Sequence, residues 1–134
     1  MRAATLVEPG RFELKEVDAP EPGEGEVLIR VEGCGLCASN LGPWTGVAGV
    51  GYPLEPGAPG HEVYGTVAAG GPGVESAVPG DAVTALTYNG FAEYDVARAD
   101  AVVRVPHGLA GGAVLGEPVA CAVNVHRRAG GREG

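Results

Sequence analysis

Apolar residues alternate with polar ones in short runs along most of the chain, and glycine or proline separates one run from the next. Alternation with a period of two is typical of strands that bury one face. The runs predict strands at residues 3–7, 12–17, 27–31, 62–69, 82–86, 91–96 and 101–105, with Gly33 ending the third. Six or seven short strands joined by turns predict a mainly β fold, either a partly open barrel or a sandwich.

Two segments depart from this pattern. Residues 38–41 have room for a short helical turn before Gly42 and Pro43 stop it. Residues 118–128 begin with a proline, end with two arginines and precede Gly130-Gly131, so they predict a helix. The loop at residues 46–59 is rich in glycine and proline, as the rims of active sites often are.

Composition narrows the functional classes. The chain has 134 residues, which suit one domain spanning 1–134, and its 24 glycines and 11 prolines are spread out as turn residues are. The formal net charge of −8 argues against nucleic acid or an anionic membrane as a partner. The chain shows no secretory signal pattern and no membrane-length apolar run, and its three cysteines fit poorly with disulfides. We therefore expect a cytoplasmic protein.

Four residues with metal-binding side chains lie in different parts of the predicted fold: Cys37, His61, Glu62 and Glu117. Ligands spread in this way suit a site that tertiary folding closes. Three protein ligands and one free position are typical of a catalytic zinc, because a closed set of four leaves no room for substrate. We therefore predict that Cys37, His61 and a carboxylate bind a reactive zinc.

The cysteine segment has other interpretations. Cys34-x-x-Cys37 also occurs in thiol redox proteins, in half of a zinc knuckle and as two small buried residues. Residues 33–38 match a dinucleotide-binding fingerprint, and Glu55 lies where its ribose-binding acid is expected. We reject the fingerprint, because a loop rich in glycine and proline follows instead of a full helix and a second strand.

The other candidates have plainer interpretations too. His61 and Glu62 fit a surface junction between a loop and a strand. Glu117 precedes the predicted helix as a candidate N-cap, where the helix dipole alone favours an acid. Cys121 lies one turn later, so it is either an alternative ligand or a small residue packed under the helix.

Taken together, five motifs resemble the zinc-dependent medium-chain alcohol and polyol dehydrogenases, in that family's order and spacing. The acid followed by proline is closest to the sorbitol and threonine dehydrogenase branch. The resemblance implies that family's catalytic domain, a GroES-like, partly open β-barrel. The motifs are residues 33–40 (Gly-Cys-Gly-Leu-Cys-Ala-Ser-Asn), 59–62 (Pro-Gly-His-Glu), the turn run at 71–81, 90–94 (Gly-Phe-Ala-Glu-Tyr) and 116–122 (Gly-Glu-Pro-Val-Ala-Cys-Ala).

The resemblance also implies roles for individual residues. Cys37 would be the thiolate ligand and His61 the imidazole ligand of one catalytic zinc. Glu62 and Glu117 would be carboxylates that share or exchange a coordination position with water. Ser39 would accept a hydrogen bond from the substrate hydroxyl and begin a proton relay. The implied chemistry is hydride transfer from an alcohol to NAD or NADP, with zinc as the Lewis acid.

Three departures from the family pattern affect these expectations. Asn40 stands where many relatives have an aspartate that orients the histidine ligand, and it brings no charge. Gly42 replaces a histidine that extends the relay in some relatives, so we expect a relay that is short or runs through water. The segment 86–96 contains no cysteine, so the four-cysteine structural zinc lobe is missing and one metal is expected.

The resemblance places a Rossmann domain after residues 127–131 and then a returning segment, whereas the sequence stops at Gly134. We therefore expect the cofactor to bind through a domain that lies outside this chain, in cis or in trans, and we assign no cofactor-binding residue. The first interpretation is the catalytic portion of a dehydrogenase that oligomerises at full length. The alternative is a non-catalytic β-barrel binding or assembly module, and a thiol redox protein is the third.

The substrate is expected to be a small alcohol or polyol. Trp44, Tyr52 and Leu54 lie in or near the glycine- and proline-rich loop, and they predict an apolar wall beside the site without identifying a substrate.

Overall fold

The computed structural model describes residues 1–130 of the chain, and within them the strands form two antiparallel sheets. The strands are β1 (Arg2–Glu8), β2 (Arg11–Glu16), β3 (Glu26–Gly35), β4 (Glu62–Gly70), β5 (Ala82–Leu86), β6 (Tyr94–Arg98) and β7 (Val102–Arg104). The α-helices are α1 (Leu41–Thr45) and α2 (Gly116–Arg128), and single 3-10 turns lie at Ala38–Asn40, Ala99–Ala101 and His107–Leu109. This architecture confirms the predicted mainly β, partly open barrel.

The larger sheet holds the core. Its strand order is β6-β3-β4-β5-β7, and every neighbouring pair is antiparallel. Alternate residues of β3 and β4 point into the core, where Val27, Ile29, Val63 and Val67 are at most 2% exposed. β-branched residues suit this position because they pack well on a pleated, buried face.

The β1–β2 hairpin closes one side of the barrel. Leu6 of β1 is fully buried, and an isolated bridge joins Ala3 to Ala92 before β6. Arg2 makes an exposed ion pair with Glu93, with its Nη2 2.7 Å from Oε1. The hairpin is therefore held mainly by apolar burial and backbone pairing, since an exposed ion pair contributes little.

Two predicted boundaries near the site were wrong. β3 does not end at Gly33 but continues to Gly35, because Cys34 and Gly35 pair with Val63 and Glu62 of β4. Pro43 does not stop the helix after residue 41, since α1 runs through it to Thr45 and ends at Gly46, whose φ is +79°. A proline is compatible with the first turn, where backbone N–H groups have no helical acceptor.

The end of the described chain also differs in detail. β6 begins at Tyr94 rather than at residue 91. The helix begins at Gly116 with Leu115 as its N-cap, so Glu117 lies inside the first turn rather than at the cap. Of the predicted closing pair, Gly130 follows the helix and Gly131 lies outside the described residues. None of the residues of α2 is buried, and no described helix is long and apolar enough to cross a membrane.

Candidate metal centre

Strand pairing brings the candidate ligands together. Gly35, the last residue of β3, pairs with Glu62, the first residue of β4. A Cβ at position 35 would lie 2.0 Å from Oε2 of Glu62, so glycine at this position leaves room for the Glu62 side chain. Cys37 follows two residues after Gly35 and His61 directly precedes Glu62, so the pairing places both beside the end of the sheet.

Cys37, His61 and Glu62 form one cluster. One ligand atom from each side chain lies within 4.8 Å of the other two. A zinc ion bound to sulfur, nitrogen and oxygen at its usual distances holds those atoms roughly 3.5 Å apart, so only small movements are needed. The mixed set of soft and hard ligands is also one that zinc accepts.

The backbone fixes the orientation of the imidazole. Nδ1 of His61 lies 3.0 Å from the carbonyl oxygen of Pro59, which can only accept, so Nδ1 carries the proton and Nε2 is free to bind a metal. Asn40 donates from Nδ2 to the same carbonyl at 2.8 Å, and its Oδ1 accepts the N–H of Cys37 at 2.8 Å. Asn40 therefore positions His61 through Pro59 and Cys37 directly, without a charge.

The electrostatics favour a bound cation. Hydrogen bonds from Ser39 and from His61 lower the pKa of the Cys37 thiol. Partial burial disfavours a charged His61, but its bond to Pro59 and the Cys37 thiolate raise its pKa overall. Glu62 is only 6% exposed, and its carboxylate lies beside Cys37 and His61, so the cluster holds two acidic side chains that a cation would offset.

An open cavity of about 490 Å³ adjoins the cluster. Ser39 and His61 line it, and the side chains of Leu54 and Tyr88 form part of its wall. Oγ of Ser39 lies 3.4 Å from Nε2 of His61, so the cluster has a hydroxyl beside it at the wall of the cavity.

Glu117 lies outside the three-residue cluster. Its Oε1 accepts a hydrogen bond from Sγ of Cys121 at 2.9 Å, which places both side chains on one face of α2 as their spacing predicts. Its negative charge contributes to the raised pKa of His61, after the larger effects of Pro59 and Cys37. The N–H of Gly116 donates to Oγ1 of Thr84 at 2.8 Å, which fixes the start of α2 on β5. The ligand role of Glu117 stays a prediction.

Comparison with known proteins agrees with this architecture. A model of the "Alcohol dehydrogenase GroES-like domain" matches residues 23–112. The chain is 35% identical over 121 residues to an alcohol dehydrogenase of Geobacillus stearothermophilus, a match that covers 84% of this chain and 33% of the relative. It is 39% identical over 75 residues to the sorbitol dehydrogenase of Ovis aries, which covers 56% of this chain and 21% of the relative. The chain belongs to the alcohol dehydrogenase GroES-like domain family.

A solved structure supports the same assignment. The mycobacterial protein Rv1454c, complexed with NADPH, has a TM-score of 0.68 and 30% identity, and the match covers 80% of this chain and 34% of that one. The GroES-like chain spans about a fifth to a third of the length of the curated relatives it matches. The predicted family and fold class are thereby confirmed.

The three residues predicted to form an apolar wall lie in different places in the fold. Leu54 lines the cavity beside His61, whereas Trp44 lines a second, apolar cavity that Cys37 borders. Tyr52 donates a hydrogen bond to the carbonyl oxygen of Pro43. Cys34, the other cysteine of the pair, is half-buried, and burial raises the pKa of its thiol, which favours a packing role over redox chemistry.

Asp95 is a buried residue of this GroES-like domain that sequence reasoning missed. It is 3% exposed, and its carboxylate accepts the N–H groups of Asn89 at 2.9 Å and of Val96 at 2.8 Å. The N–H of Gly90 in turn donates to the carbonyl oxygen of Gly60 at 2.9 Å. Asp95 therefore holds the loop that lies against the backbone before His61. An acid at a buried position of an alternating strand was the available signal.

The burial of the Asp95 carboxyl group leads us to expect a specific dependence of folding stability on pH. Burial raises the pKa of this carboxyl even though backbone donors stabilise its charged form. The folded state then binds more protons than the unfolded state just above the unfolded pKa of about 3.9, so stability falls as pH rises through that window. We expect the difference in unfolding free energy between the wild type and Asp95→Asn to decrease from pH 4 upward, as measured by urea denaturation.

Asp100→Asn is the matched control. Asp100 is exposed, and its hydrogen bond from Arg98 lowers its pKa. Its contribution is present above the unfolded pKa and is lost as pH falls through the folded pKa, so the slope has the opposite sign. Equal slopes in the two variants would contradict the role of burial at Asp95.

Proposed function

We propose that this chain is the zinc-binding catalytic portion of a dehydrogenase that oxidises an alcohol or polyol with NAD or NADP. The observation that carries the proposal is the convergence of Cys37, His61 and Glu62 beside the Ser39 hydroxyl. The names of the relatives, alcohol dehydrogenase and sorbitol dehydrogenase, agree with it.

The cluster residues have distinct roles in holding the metal. Cys37 and Glu62 would bind through Sγ and a carboxylate oxygen, and their negative charges offset that of the cation. His61 would bind through Nε2, because Pro59 occupies Nδ1. Glu117 is the candidate for the fourth position, in exchange with water. A zinc ion at this place would act as a Lewis acid and lower the pKa of a substrate hydroxyl toward about 7.

Ser39 would take part in proton removal. Its hydroxyl is exposed at the cavity beside His61, so it can accept the substrate's hydroxyl proton and pass it to water. Gly42 provides no side chain to continue the relay, which is why water is the next carrier. A nicotinamide cofactor, when bound, would supply the acceptor for the hydride of the alcohol carbon, and the alcohol would become an aldehyde or ketone.

The cofactor would bind through a Rossmann domain supplied in cis or in trans. One structural relative was crystallised with NADPH, which supports a nicotinamide cofactor without choosing between NAD and NADP. We further propose a cytoplasmic location, supported by three free cysteines within the described residues, and homo-oligomerisation of the full-length enzyme.

A domain graft tests the function. We would replace the matching third of the Geobacillus stearothermophilus alcohol dehydrogenase with this chain, and measure zinc content, circular dichroism and alcohol-dependent reduction of NAD and NADP. We expect activity that a chelator removes and zinc restores. Ser39→Ala in the same graft should lower kcat by about 100-fold or more, because general acid–base groups contribute at least that much.

The matched control is Ser76→Ala, which changes the same residue type in the loop after β4, outside the described site. It should leave kcat unchanged. A folded, zinc-loaded graft that oxidises neither simple alcohols nor polyols would instead support the non-catalytic binding module.

A further inference from the structure

The loop between β5 and β6 lies directly against the backbone that leads to His61. We call residues 87–91 of this loop the crossing loop, and they lie across residues 57–61. Backbone N–H groups of the crossing loop donate to carbonyl oxygens of that segment, Gly90 to Gly60 at 2.9 Å, Phe91 to Gly57 at 3.0 Å and Thr87 to His61 at 3.5 Å. The crossing loop therefore supports the segment at both of its ends.

Gly57 brings the two backbones into contact. Its φ is +89°, and a Cβ at this position would lie 2.1 Å from the carbonyl oxygen of Asn89. That oxygen belongs to the backbone, so no side-chain rotation could make room for a larger residue. The position of the crossing loop and that of residues 57–61 are therefore linked. Pro59, whose carbonyl oxygen lies 3.0 Å from Nδ1 of His61, belongs to the linked segment.

Asp95 holds the crossing loop from the side of the sheet. Its buried carboxylate accepts the N–H of Asn89 through Oδ2 at 2.9 Å and the N–H of Val96 through Oδ1 at 2.8 Å. Asp95 itself pairs with Ile29 of β3, which is fully buried. A carboxylate makes stronger hydrogen bonds than a neutral acceptor does. It therefore ties the crossing loop firmly to the core of the larger sheet.

The crossing loop also forms part of the cavity beside the cluster. Tyr88 and Asn89 line the cavity of about 490 Å³ together with His61. The N–H that Asp95 binds across the loop is that of Asn89 itself. One carboxylate therefore holds a residue of the cavity wall directly and the imidazole of His61 through the segment that the crossing loop supports.

We propose that Asp95 is a positioning residue of the candidate metal centre. Acting through the crossing loop, it sets where the imidazole of His61 and the cavity wall at Asn89 lie. The inference rests on the proposed function, because a displaced His61 weakens the binding of zinc only if His61 is a ligand. Asn40 is its counterpart, since Asn40 holds the carbonyl oxygen of Pro59 from another part of the chain. A purely structural acid would change stability and leave the centre unaltered.

Zinc affinity tests the proposal. We would compare the 134-residue chain with its Asp95→Asn variant by competition with a chromogenic chelator. Asparagine offers one acceptor oxygen, and its NH2 group cannot accept, so one of the two backbone hydrogen bonds is lost. We expect zinc affinity to fall about tenfold, at the lower end of the loss for groups that orient a metal ligand. An unchanged affinity would overturn the proposal.

Asp81→Asn is the matched control. Oδ2 of Asp81 accepts the N–H of Val78 at 3.0 Å, so this acid also holds a loop through a backbone hydrogen bond. Asp81 precedes Ala82, at the end of β5 that lies away from Leu86, the partner of Glu62. Asp81→Asn should therefore leave zinc affinity unchanged. Equal losses in the two variants would show a general effect of stability and would refute the positioning role.

Nuclear magnetic resonance of the metal-free chain separates this inference from the proposed function. Asp95→Asn should shift the backbone amide signals within residues 57–61, and Asp81→Asn should not. Such shifts in a chain that binds no zinc refute the proposed function and leave Asp95 as the residue that positions His61. Absence of the shifts refutes the inference, and zinc binding by the wild type then leaves the proposed function standing.

Discussion

Replacing Cys37 with alanine is expected to abolish the binding of zinc. The wild-type chain should retain about one zinc after dialysis against metal-free buffer, and Cys37→Ala should retain none. The thiolate is one of three side chains whose ligand atoms lie within 4.8 Å of one another, and its loss leaves a single imidazole and carboxylate. Loss of an outer-shell partner already costs 10–100-fold in metal affinity, so loss of a ligand should cost more than roughly 100-fold.

The other two cysteines serve as controls for this experiment. Cys34 is half-buried, with its Sγ 3.6 Å from the carbonyl oxygen of Gly35, and Cys121 bonds to Glu117 on α2. Cys34→Ser and Cys121→Ala should keep about one zinc each. Full metal retention in Cys37→Ala would show that the ligand set is wrong. If Cys121→Ala alone loses its zinc, the third ligand lies on α2.

Thermal unfolding gives a second measure of the same event. A metal that binds only the folded chain stabilises it by about 2.7 kcal/mol at a free concentration of 100 times its Kd. Zinc should therefore raise the Tm of the wild type and leave that of Cys37→Ala unchanged. Glu117→Gln tests the remaining ligand: an unchanged affinity would show that Cys37, His61 and Glu62 hold the metal without it.

The sequence predicted the strands well because most bury only one face. Val27, Ile29 and Val67 alternate with exposed or half-exposed residues, so the period of two is visible. It also predicted that Cys37, His61 and Glu62 belong together, because the resemblance links their motifs.

The features that the sequence did not predict depend on contacts between residues far apart in the chain. Gly33 looks like a strand end, yet β3 continues because β4 supplies partners for Cys34 and Gly35. The ring contacts of Phe12 with Trp44 and Phe91 join residues far apart in the chain, and no local sequence pattern predicts them. Alternation could have flagged Asp95 as an acid at a buried position, but its hydrogen bonds to Asn89 and Val96 appear only in the fold.

Gly65 shows how strongly this folded geometry constrains the site. It is a buried residue of β4 that pairs with Val31, next to the irregularity in register between Val31 and Gly33. A Cβ there would lie 2.1 Å from the carbonyl oxygen of Arg30 and 3.1 Å from the N–H nitrogen of Glu32. Both are backbone atoms, so no side-chain rotation relieves the contact and the two strands must separate.

Gly65→Ala is therefore expected to lower the free energy of unfolding by about 3 kcal/mol, at the upper end of the usual cost of overpacking. Urea denaturation measures it, and Gly51→Ala is the control, because a Cβ at position 51 meets nothing within 4 Å. Gly65→Ala should also weaken zinc binding, since the pairing of β3 with β4 sets Gly35 against Glu62. Equal stabilities of the two variants would contradict the register of β3 and β4, and with it the geometric basis for bringing Cys37 to His61.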